Sequence, residues 1–191
     1  MAQYTTLANI KDRLEIDSVK TVDDEFIKRL IESASAIMAG ETGVNFVAAS
    51  GTRYFDVPEG PELVVDDFVT LTSITNGDGS AISTSDVTTL PANKTPKYVI
   101  RIKASSAAYW CASASGDTIA VIPIVANWGY SAAAPDDVRE AVEDIVVSKY
   151  KSRFGVGAEG AATVTAAGVV ITPRDITAFA KKVIDRYKRR T

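Results

Sequence analysis

The spacing of the apolar residues changes twice along the chain, and this change most limits the folds that the chain can adopt. Up to residue 43, apolar residues recur every three or four positions, as on one face of an α-helix. From residue 44 to residue 130 they fall in short β-branched and aromatic runs that are separated by turn residues. Helical spacing returns after Ala134. The sequence therefore predicts helices on both sides of a strand-rich block.

Two helices are predicted before this block. The first extends from Thr5 to about Ile16 and has Thr6 as its N-cap. The second begins at a capping box formed by Thr21 and Asp24, with aspartate in place of the usual glutamate. Its stop signals are Gly40 and Gly43.

Strands are predicted in the block between the helical segments. The candidates are Thr52–Val57, Phe68–Thr75, Tyr98–Lys103 and Thr118–Trp128. The run from Asn76 to Ser80 tolerates positive φ and is typical of a hairpin loop. Because Pro123 has no N–H to donate, its strand is expected at a sheet edge or to be bulged there.

Two more helices are predicted after the block. The third has Pro135 in its first turn, with Asp136 and Asp137 beside it, and it stops before Gly155. Residues 155–170 are rich in Gly and Ala and are interpreted as a long loop. The signals for the start of the fourth helix are Thr172 as cap, Pro173 and Asp175.

These elements predict an α+β fold in which about four helices form a bundle core, and an antiparallel β subdomain is inserted between helices 2 and 3. The expected divisions are residues 1–43 for the N-terminal helices, 44–130 for the inserted subdomain, and 131–191 for the C-terminal helices with the loop at 155–170. The longest apolar stretch contains Pro123 and falls short of the roughly 20 residues that cross a bilayer. No membrane segment is therefore expected, and the N-terminus lacks the features of a secretory signal, which favours synthesis in the cytoplasm.

The chain contains no histidine, and this absence limits the chemistry available to it. Serine–histidine and cysteine–histidine catalysis and histidine-ligated metal sites are excluded, so that any metal chemistry would depend on carboxylates. The formal net charge is -3, so any surface that attracts nucleic acid must be local. No catalytic, cofactor-binding or metal-binding residue is assigned. A metal enzyme that depends on carboxylates is one hypothesis for the function.

Several motifs that could carry chemistry have simpler structural interpretations. The acidic pairs are Asp23-Asp24, Asp66-Asp67 and Asp136-Asp137, and two of these stand at predicted helix starts, where carboxylates cap or complement the dipole. Cys111 has no basic neighbour in sequence and is interpreted as a structural thiol. The glycine spacing of Gly155–Gly160 follows a helix rather than a strand, which argues against a nucleotide-binding loop.

Two groups of basic residues lie in the C-terminal helices. They are Lys149, Lys151 and Arg153, and then Lys181, Lys182, Arg186, Lys188, Arg189 and Arg190. Cations near a helix C-terminus complement the helix dipole, and any solvated face needs charge. The other interpretation is an anionic partner, either an acidic protein surface or the phosphates of nucleic acid.

The motifs together resemble the head-tail connector (adaptor, head completion) proteins of tailed bacteriophages. The resemblance rests on Trp128-Gly129-Tyr130, on Pro135-Asp136-Asp137-Val138 with the apolar helix that follows, and on the N-terminal pair of helices that closes at Gly43. The strand-rich block is similar to that of the longer connectors. Trp128, Gly129, Tyr130 and Pro135 are the structural residues of the shared motif.

The resemblance implies a non-enzymatic virion protein without cofactors, located at the capsid–tail junction and assembled in the host bacterial cytoplasm. Its implied partners are the portal protein, identical subunits in a homo-oligomeric ring of about twelve, and a tail-side stopper or tail protein, with DNA passing through the lumen without sequence-specific binding. The loop, with Gly157, Glu159 and Gly160, and the basic residues of helix 4 are implied to contact the portal or a neighbouring subunit. The alternative is a DNA-binding accessory protein that uses its basic C-terminal helix.

Overall fold

The computed structural model describes residues 2–154 and 176–188, which contain four α-helices and a six-stranded antiparallel sheet. The predicted α+β fold, with its sheet between helices 2 and 3, is confirmed. The chain divides into two compact units. Asn45–Ala133 forms the sheet unit, and the flanking segments, which carry the helices, form the helical unit.

The helices of the helical unit are α1 (Leu7–Arg13), α2 (Asp24–Thr42), α3 (Asp136–Phe154) and α4 (Ala178–Tyr187). Helix α2 packs against α3, and both α1 and α4 pack against that pair. The apolar stripe predicted for α3 is buried, and so are the apolar positions of α2 that face it. The core residues are Ile10, Ile27, Ile31, Ala34, Met38, Val138, Ala141, Val142, Ile145, Val146, Ala180, Val183 and Ile184.

The ends of the first two helices correct part of the sequence interpretation. Thr6 caps α1 as predicted, because its side chain accepts a hydrogen bond from the backbone N–H of Asn9. The capping box predicted for α2 is wrong, since Asp24 is the first helical residue and its carboxylate pairs with Lys11 instead. Gly43 ends α2 in a left-handed conformation at φ +68°, as expected of a C-cap glycine. The other predicted stop signal, Gly40, lies inside the helix.

The described part of α4 begins at Ala178. The side chain of Thr177 caps it by accepting a hydrogen bond from the N–H of Ala180. Ile176 lies in a bend before this cap and is not part of the helix. The predicted start signals at Thr172, Pro173 and Asp175 lie outside the described residues, as does the predicted loop at residues 155–170.

The six strands of the sheet unit are β1 (Ala49–Phe55), β2 (Glu62–Thr75), β3 (Ala81–Ile82), β4 (Val87–Leu90), β5 (Lys97–Ile102) and β6 (Ile122–Trp128). They are arranged in the order β1-β6-β2-β5-β4, and β3 pairs with the end of β2. All pairings between them are antiparallel. The predicted hairpin loop at Asn76–Ser80 joins β2 to β3, and Thr75 pairs with Ala81 across it.

Strand β2 is the longest strand and connects the two halves of the sheet. Its first half pairs with β5, and its second half pairs with β6. The register shifts between Val64 and Phe68, so the alternation of buried and exposed residues is broken there. This bulge contains Asp66 and Asp67, which is why the sequence pattern predicted a strand only from Phe68.

Strand β6 lies inside the sheet, between β1 and β2. The prediction of an edge position for this strand is therefore wrong. Pro123 is tolerated because it is the second residue of β6, where only β1 pairs with the strand, opposite Tyr54. Pairing with β2 begins at Ile124. The residues from Thr118 to Val121, which were predicted to be part of this strand, precede it.

The core of the sheet unit follows from the alternation along β6. Its odd-numbered positions are half-buried, whereas Ile122, Ile124, Ala126 and Trp128 are buried. The other buried members of this cluster are Leu63, Val65, Phe68, Ile74, Ile82, Val87, Ile100 and Ile102. Strands β3 and β4, which contribute Ile82 and Val87, were not predicted from the sequence.

Candidate interaction surfaces

The Trp128-Gly129-Tyr130 motif closes one end of the sheet unit. Trp128 is buried, and its indole N–H donates to the backbone carbonyl of Gly51 at 2.9 Å. Its ring lies 5.6 Å from that of Phe55 and 5.8 Å from that of Phe68, between ring centroids. These contacts make Trp128 an anchor of the core rather than a surface residue.

Gly129 is required by a close approach of two backbone segments. Its φ is +150°, and a Cβ atom there would lie 2.7 Å from the Cα of Ala48. The N–H of Gly129 donates to the carbonyl of Asp67 at 2.7 Å, and the N–H of Tyr130 donates to that of Asn45 at 2.8 Å. The motif therefore connects the end of β6 to the segment that leads into β1.

Pro135 directly precedes α3, as the sequence indicated. Its carbonyl accepts a hydrogen bond from the N–H of Arg139 at 2.9 Å, which places it at the helix start. The guanidinium of Arg139 in turn pairs with Asp136 at 2.9 Å. All four motif residues thus have structural roles in the described part of the chain.

Asp137 holds α4 against the start of α3. One carboxylate oxygen accepts a hydrogen bond from the Arg186 guanidinium at 3.1 Å, and the other accepts one from the Tyr187 hydroxyl, also at 3.1 Å. Arg186, predicted as a partner-binding residue, is therefore paired within the chain, although its side chain stays 72% exposed.

The lysines of the predicted basic surface differ from Arg186. Lys181, Lys182 and Lys188 are exposed, and they form no ion pair with another residue of the described ranges. We call these three the α4 lysines. Arg189, Arg190, Gly157, Glu159 and Gly160, which were predicted to contact the same partners, lie outside the described residues.

The basic group late in α3 is partly engaged with α2. The Arg153 guanidinium carbon lies 4.0 Å from the centroid of the Phe26 ring, in a cation–π arrangement. The Tyr150 hydroxyl donates to Asp23 at 2.9 Å. Burial, and then this hydrogen bond, raises the pKa of Tyr150 above its ordinary value. Lys151 is exposed and Lys149 is half-buried.

A buried polar cluster joins α1 to α3, and sequence reasoning missed it. The carboxylate of Glu143 accepts hydrogen bonds from Thr5 at 2.7 Å and from Arg13 at 3.2 Å, and Arg13 also reaches Asp144 at 2.8 Å. Glu143 is 8% exposed, and its partners satisfy its charge. No local pattern predicts a pair of residues that are 130 positions apart.

Lys11 forms a second buried contact, which was also missed. Its ammonium group donates to the carbonyls of Ser18 at 3.2 Å and Lys20 at 2.7 Å, and it pairs with the Asp24 carboxylate at 2.6 Å. It thereby fixes the segment between α1 and α2. A pocket of about 270 Å³ lies beside it, with Glu15, Val22 and Tyr150 among its lining residues.

The acidic pairs do not form carboxylate sites in the described residues. Asp23 contacts Tyr150 while Asp24 contacts Lys11, and Asp66 pairs with Arg53. Within the described ranges, no group of three or more Cys, Asp or Glu residues is placed to hold a metal ion.

The loop of the β2–β3 hairpin is an ordinary turn, and the segment that contains Tyr109 and Cys111 packs against it. Hydrogen bonds from the side chain and backbone of Ser80 lower the pKa of Asp78. Buried Asn76 donates to the carbonyl of Tyr109 and accepts from the N–H of half-buried Cys111, so Asn76 and Cys111 belong to the packing of this loop.

In the part of the chain that the structure describes, no helix has the length and apolar character needed to cross a membrane.

The fold is similar to that of proteins in gene transfer agent (GTA) particles. One chain, from the neck of an empty GTA particle computed with C6 symmetry, has a TM-score of 0.61 and 16% identity, over 98% of this chain and 91% of that chain. A chain of the neck of the native GTA particle, computed with C12 symmetry, has a TM-score of 0.57 and 15% identity, over 100% of this chain and 95% of that chain.

A third chain comes from the virion of the native GTA particle, with a TM-score of 0.56 and 16% identity over 98% of this chain and 91% of that chain. No protein-family model matches the sequence, and no curated protein matches it. At these identities the similarity establishes a shared fold over nearly the whole length.

Proposed function

We propose that the protein is a non-enzymatic structural subunit of the neck of a phage-like particle. The observation that carries this proposal is the likeness, over at least 98% of the chain, to chains in the neck and virion of GTA particles. The sequence resemblance to head-tail connectors, based on the motif from Trp128 to Pro135, supports the same role independently.

In this role the protein forms a ring that joins the capsid portal to the tail, and DNA passes through its lumen. Related necks were computed with C6 and C12 symmetry, which supports a ring with twelve subunits. The net charge of -3 suits a channel that must not retard the duplex, because a strongly cationic lumen would bind phosphates. The portal above the ring and a stopper or tail protein below it are the proposed partners, and the virion is the proposed location.

The α4 lysines supply a contact surface for the portal or for a neighbouring subunit. They are exposed cations without an ion pair to any described residue, so an acidic protein surface can pair with them. Asp137 accepts hydrogen bonds from Arg186 and Tyr187, and these bonds fix the position of α4 and its lysines. We include Gly157, Glu159, Gly160, Arg189 and Arg190 in the proposed portal or subunit contact on the family resemblance alone.

The test is affinity purification of the tagged protein from cells that produce the particle, followed by mass spectrometry and negative-stain imaging. We expect recovery of portal protein with rings or capsid-attached necks. The variant Lys181→Glu/Lys182→Glu/Lys188→Glu should recover less portal. The control Lys94→Glu reverses the charge of an exposed lysine on the sheet unit and should recover as much portal as the wild type. Recovery of the protein without any virion component would contradict the proposal.

The α4 lysines also favour a second candidate, a DNA-binding accessory protein whose helix α4 lies on phosphates. Titration of the purified chain with duplex DNA separates the two. If α4 binds phosphates, affinity falls steeply with salt, with a slope of about -0.9 for each phosphate contact, and charge reversal of the α4 lysines lowers that slope. Affinity that is undetectable at physiological salt would exclude this candidate.

A further inference from the structure

The connection between α1 and α2 (residues 14–23) carries apolar side chains that are exposed to solvent. Val22 is 94% exposed and Val19 is 82% exposed. Both are β-branched residues in a segment without helix or strand, so no local conformational preference explains them. Contiguous exposed apolar surface marks contact sites for other molecules, and these two valines supply the apolar side chains for such a contact.

Acidic residues surround these valines. Asp12, Glu15 and Asp17 are exposed, and none of them forms an ion pair with a residue of the described ranges. Two of them stand at the C-terminal end of α1, where the helix dipole disfavours negative charge. Lys20 is the exposed cation of the same connection, so the surface has a net negative charge. We call the valines and these three acids the acidic connection surface.

Glu15 occupies a conformation that favours glycine. It follows the C-cap residue Leu14 and has a φ of +56°, which is the left-handed conformation usually taken by glycine after a helix. A glutamate there is worse for the stability of α1 than glycine would be. The stability of α1 therefore does not explain why a glutamate stands at residue 15.

The exposed face of α4 is complementary to this surface in charge and in character. It carries the α4 lysines and the exposed carboxylate of Asp185, and Phe179, whose side chain is 37% exposed, lies at its edge beside Lys182. An apolar centre with a charged rim is the usual composition of a protein interface. The two surfaces belong to the same helical unit, and no ion pair joins them within the described chain.

We propose that the acidic connection surface of one subunit binds the exposed face of α4 in a second copy of the chain. Val19 and Val22 pack on Phe179, and the acids face the α4 lysines. Because the two surfaces differ, the contact is heterologous and can repeat from subunit to subunit until a ring closes. The inference rests on the proposed ring and names the interface that would build it.

Cysteine cross-linking tests the contact directly. In a Cys111→Ser background, chains carrying Val22→Cys and Phe179→Cys together should form a ladder of disulfide-linked multimers under mild oxidation. Mixing the two single variants should give a dimer of the two different chains. The matched control, Val22→Cys with Tyr54→Cys on the sheet unit, uses an equally accessible side chain and should give no ladder. A disulfide dimer formed by Val22→Cys alone would indicate a symmetric contact and overturn the proposal.

Charge reversal tests the rim by sedimentation velocity over a range of protein concentrations. Glu15→Lys/Asp17→Lys and Lys181→Glu/Lys182→Glu should each weaken self-association by at least about tenfold, because like charges then face each other. All four changes in one chain should restore it. Glu15→Gly should weaken association while leaving the helical unit as stable as before or more so, a combination that a purely structural Glu15 would not produce.

Failure of this interface is distinguishable from failure of the proposed function. Wild-type protein that stays monomeric up to about millimolar concentration, together with a Val22→Cys/Phe179→Cys variant that gives no ladder, overturns the interface, even where purification still recovers portal. If lysine reversal abolishes that recovery while acid reversal leaves it intact, α4 binds a different acidic protein, and the self-contact is again overturned. Loss of all virion components from the wild-type purification would contradict the neck assignment itself.

Discussion

Gly129 and Ala48 are so close that no side chain fits between them. A Cβ atom at residue 129 would lie 2.7 Å from the Cα of Ala48 and 2.9 Å from its backbone nitrogen. The φ of +150° at Gly129 is also one that L residues rarely adopt. The order Trp-Gly-Tyr thus has a structural reason: Trp128 fills the core, and Gly129 lets the chain pass the segment before β1.

Gly129→Ala should therefore destabilise the sheet unit. Backbone strain of this kind costs roughly 1–3 kcal/mol, and displacement of the neighbouring backbone adds to it. Gly51→Ala is the matched control, because a Cβ there meets Trp128 at 3.8 Å, an ordinary contact. Urea unfolding followed by tryptophan fluorescence should show a clearly lower midpoint for the first variant only. Equal midpoints for the two variants would show that the close approach does not constrain residue 129.

Glu143→Ala should destabilise the helical unit. The change leaves Thr5 and Arg13 without their buried acceptor, but the Arg13 side chain is 36% exposed, so water offsets part of the loss and the cost is about 1–3 kcal/mol. Since Arg13 keeps Asp144 as a partner, we expect the lower end of that range. Glu140→Ala removes an exposed carboxylate on the same helix and should change the free energy of unfolding by less than about 0.5 kcal/mol. Circular dichroism at 222 nm during thermal unfolding provides the comparison.

The sequence predicted elements whose signals are local, such as the Thr6 cap, the Gly43 C-cap and the buried stripe of α3. It failed where distant contacts decide the structure. In the sequence Asp24 resembles a capping residue, but in the structure its carboxylate pairs with Lys11. The start of β2 was missed because a bulge breaks its alternation, and β3, with two residues, is too short to show a period.

The candidate surfaces divide in the same way. The α4 lysines were predictable, because a run of cations is visible in any sequence, but the pairing of Arg186 with Asp137 was not, since 49 positions separate them. The acidic connection surface gave no sequence signal, because isolated valines and acids are ordinary in a loop. The exposure of Val19 and Val22 in the structure, and the left-handed backbone of Glu15, distinguish it.

Tyr150 should make the stability of the helical unit sensitive to alkaline pH. Its pKa in the folded chain is raised above the ordinary value of 10.0, first by burial and then by the hydrogen bond to Asp23. The folded state thus favours the neutral phenol, and this contribution is fully present below pH 10 and is lost as pH rises through the folded pKa. Tyr150→Phe should remove that part of the decline above pH 10. The difference between the tyrosinate absorbance curves of the two proteins reports the titration of Tyr150, and a midpoint at or below pH 10.0 would contradict this assignment.

Lys11→Met should destabilise the helical unit by roughly 3–5 kcal/mol, because it leaves the Asp24 carboxylate without its cation in a site where both side chains are largely buried. Methionine preserves the four-atom stem of the lysine side chain and removes the terminal ammonium group, so the loss reports that group rather than missing apolar packing. Lys20→Met is the matched control: Lys11 binds the backbone carbonyl of Lys20, not its side chain, so the contact survives and stability should stay within about 0.5 kcal/mol of the wild type. Adding Asp24→Asn to Lys11→Met should recover part of the loss, since the unpaired charge is then removed. A double-mutant cycle from urea unfolding measures this coupling, and strictly additive effects would mean that Lys11 and Asp24 do not stabilise each other in solution.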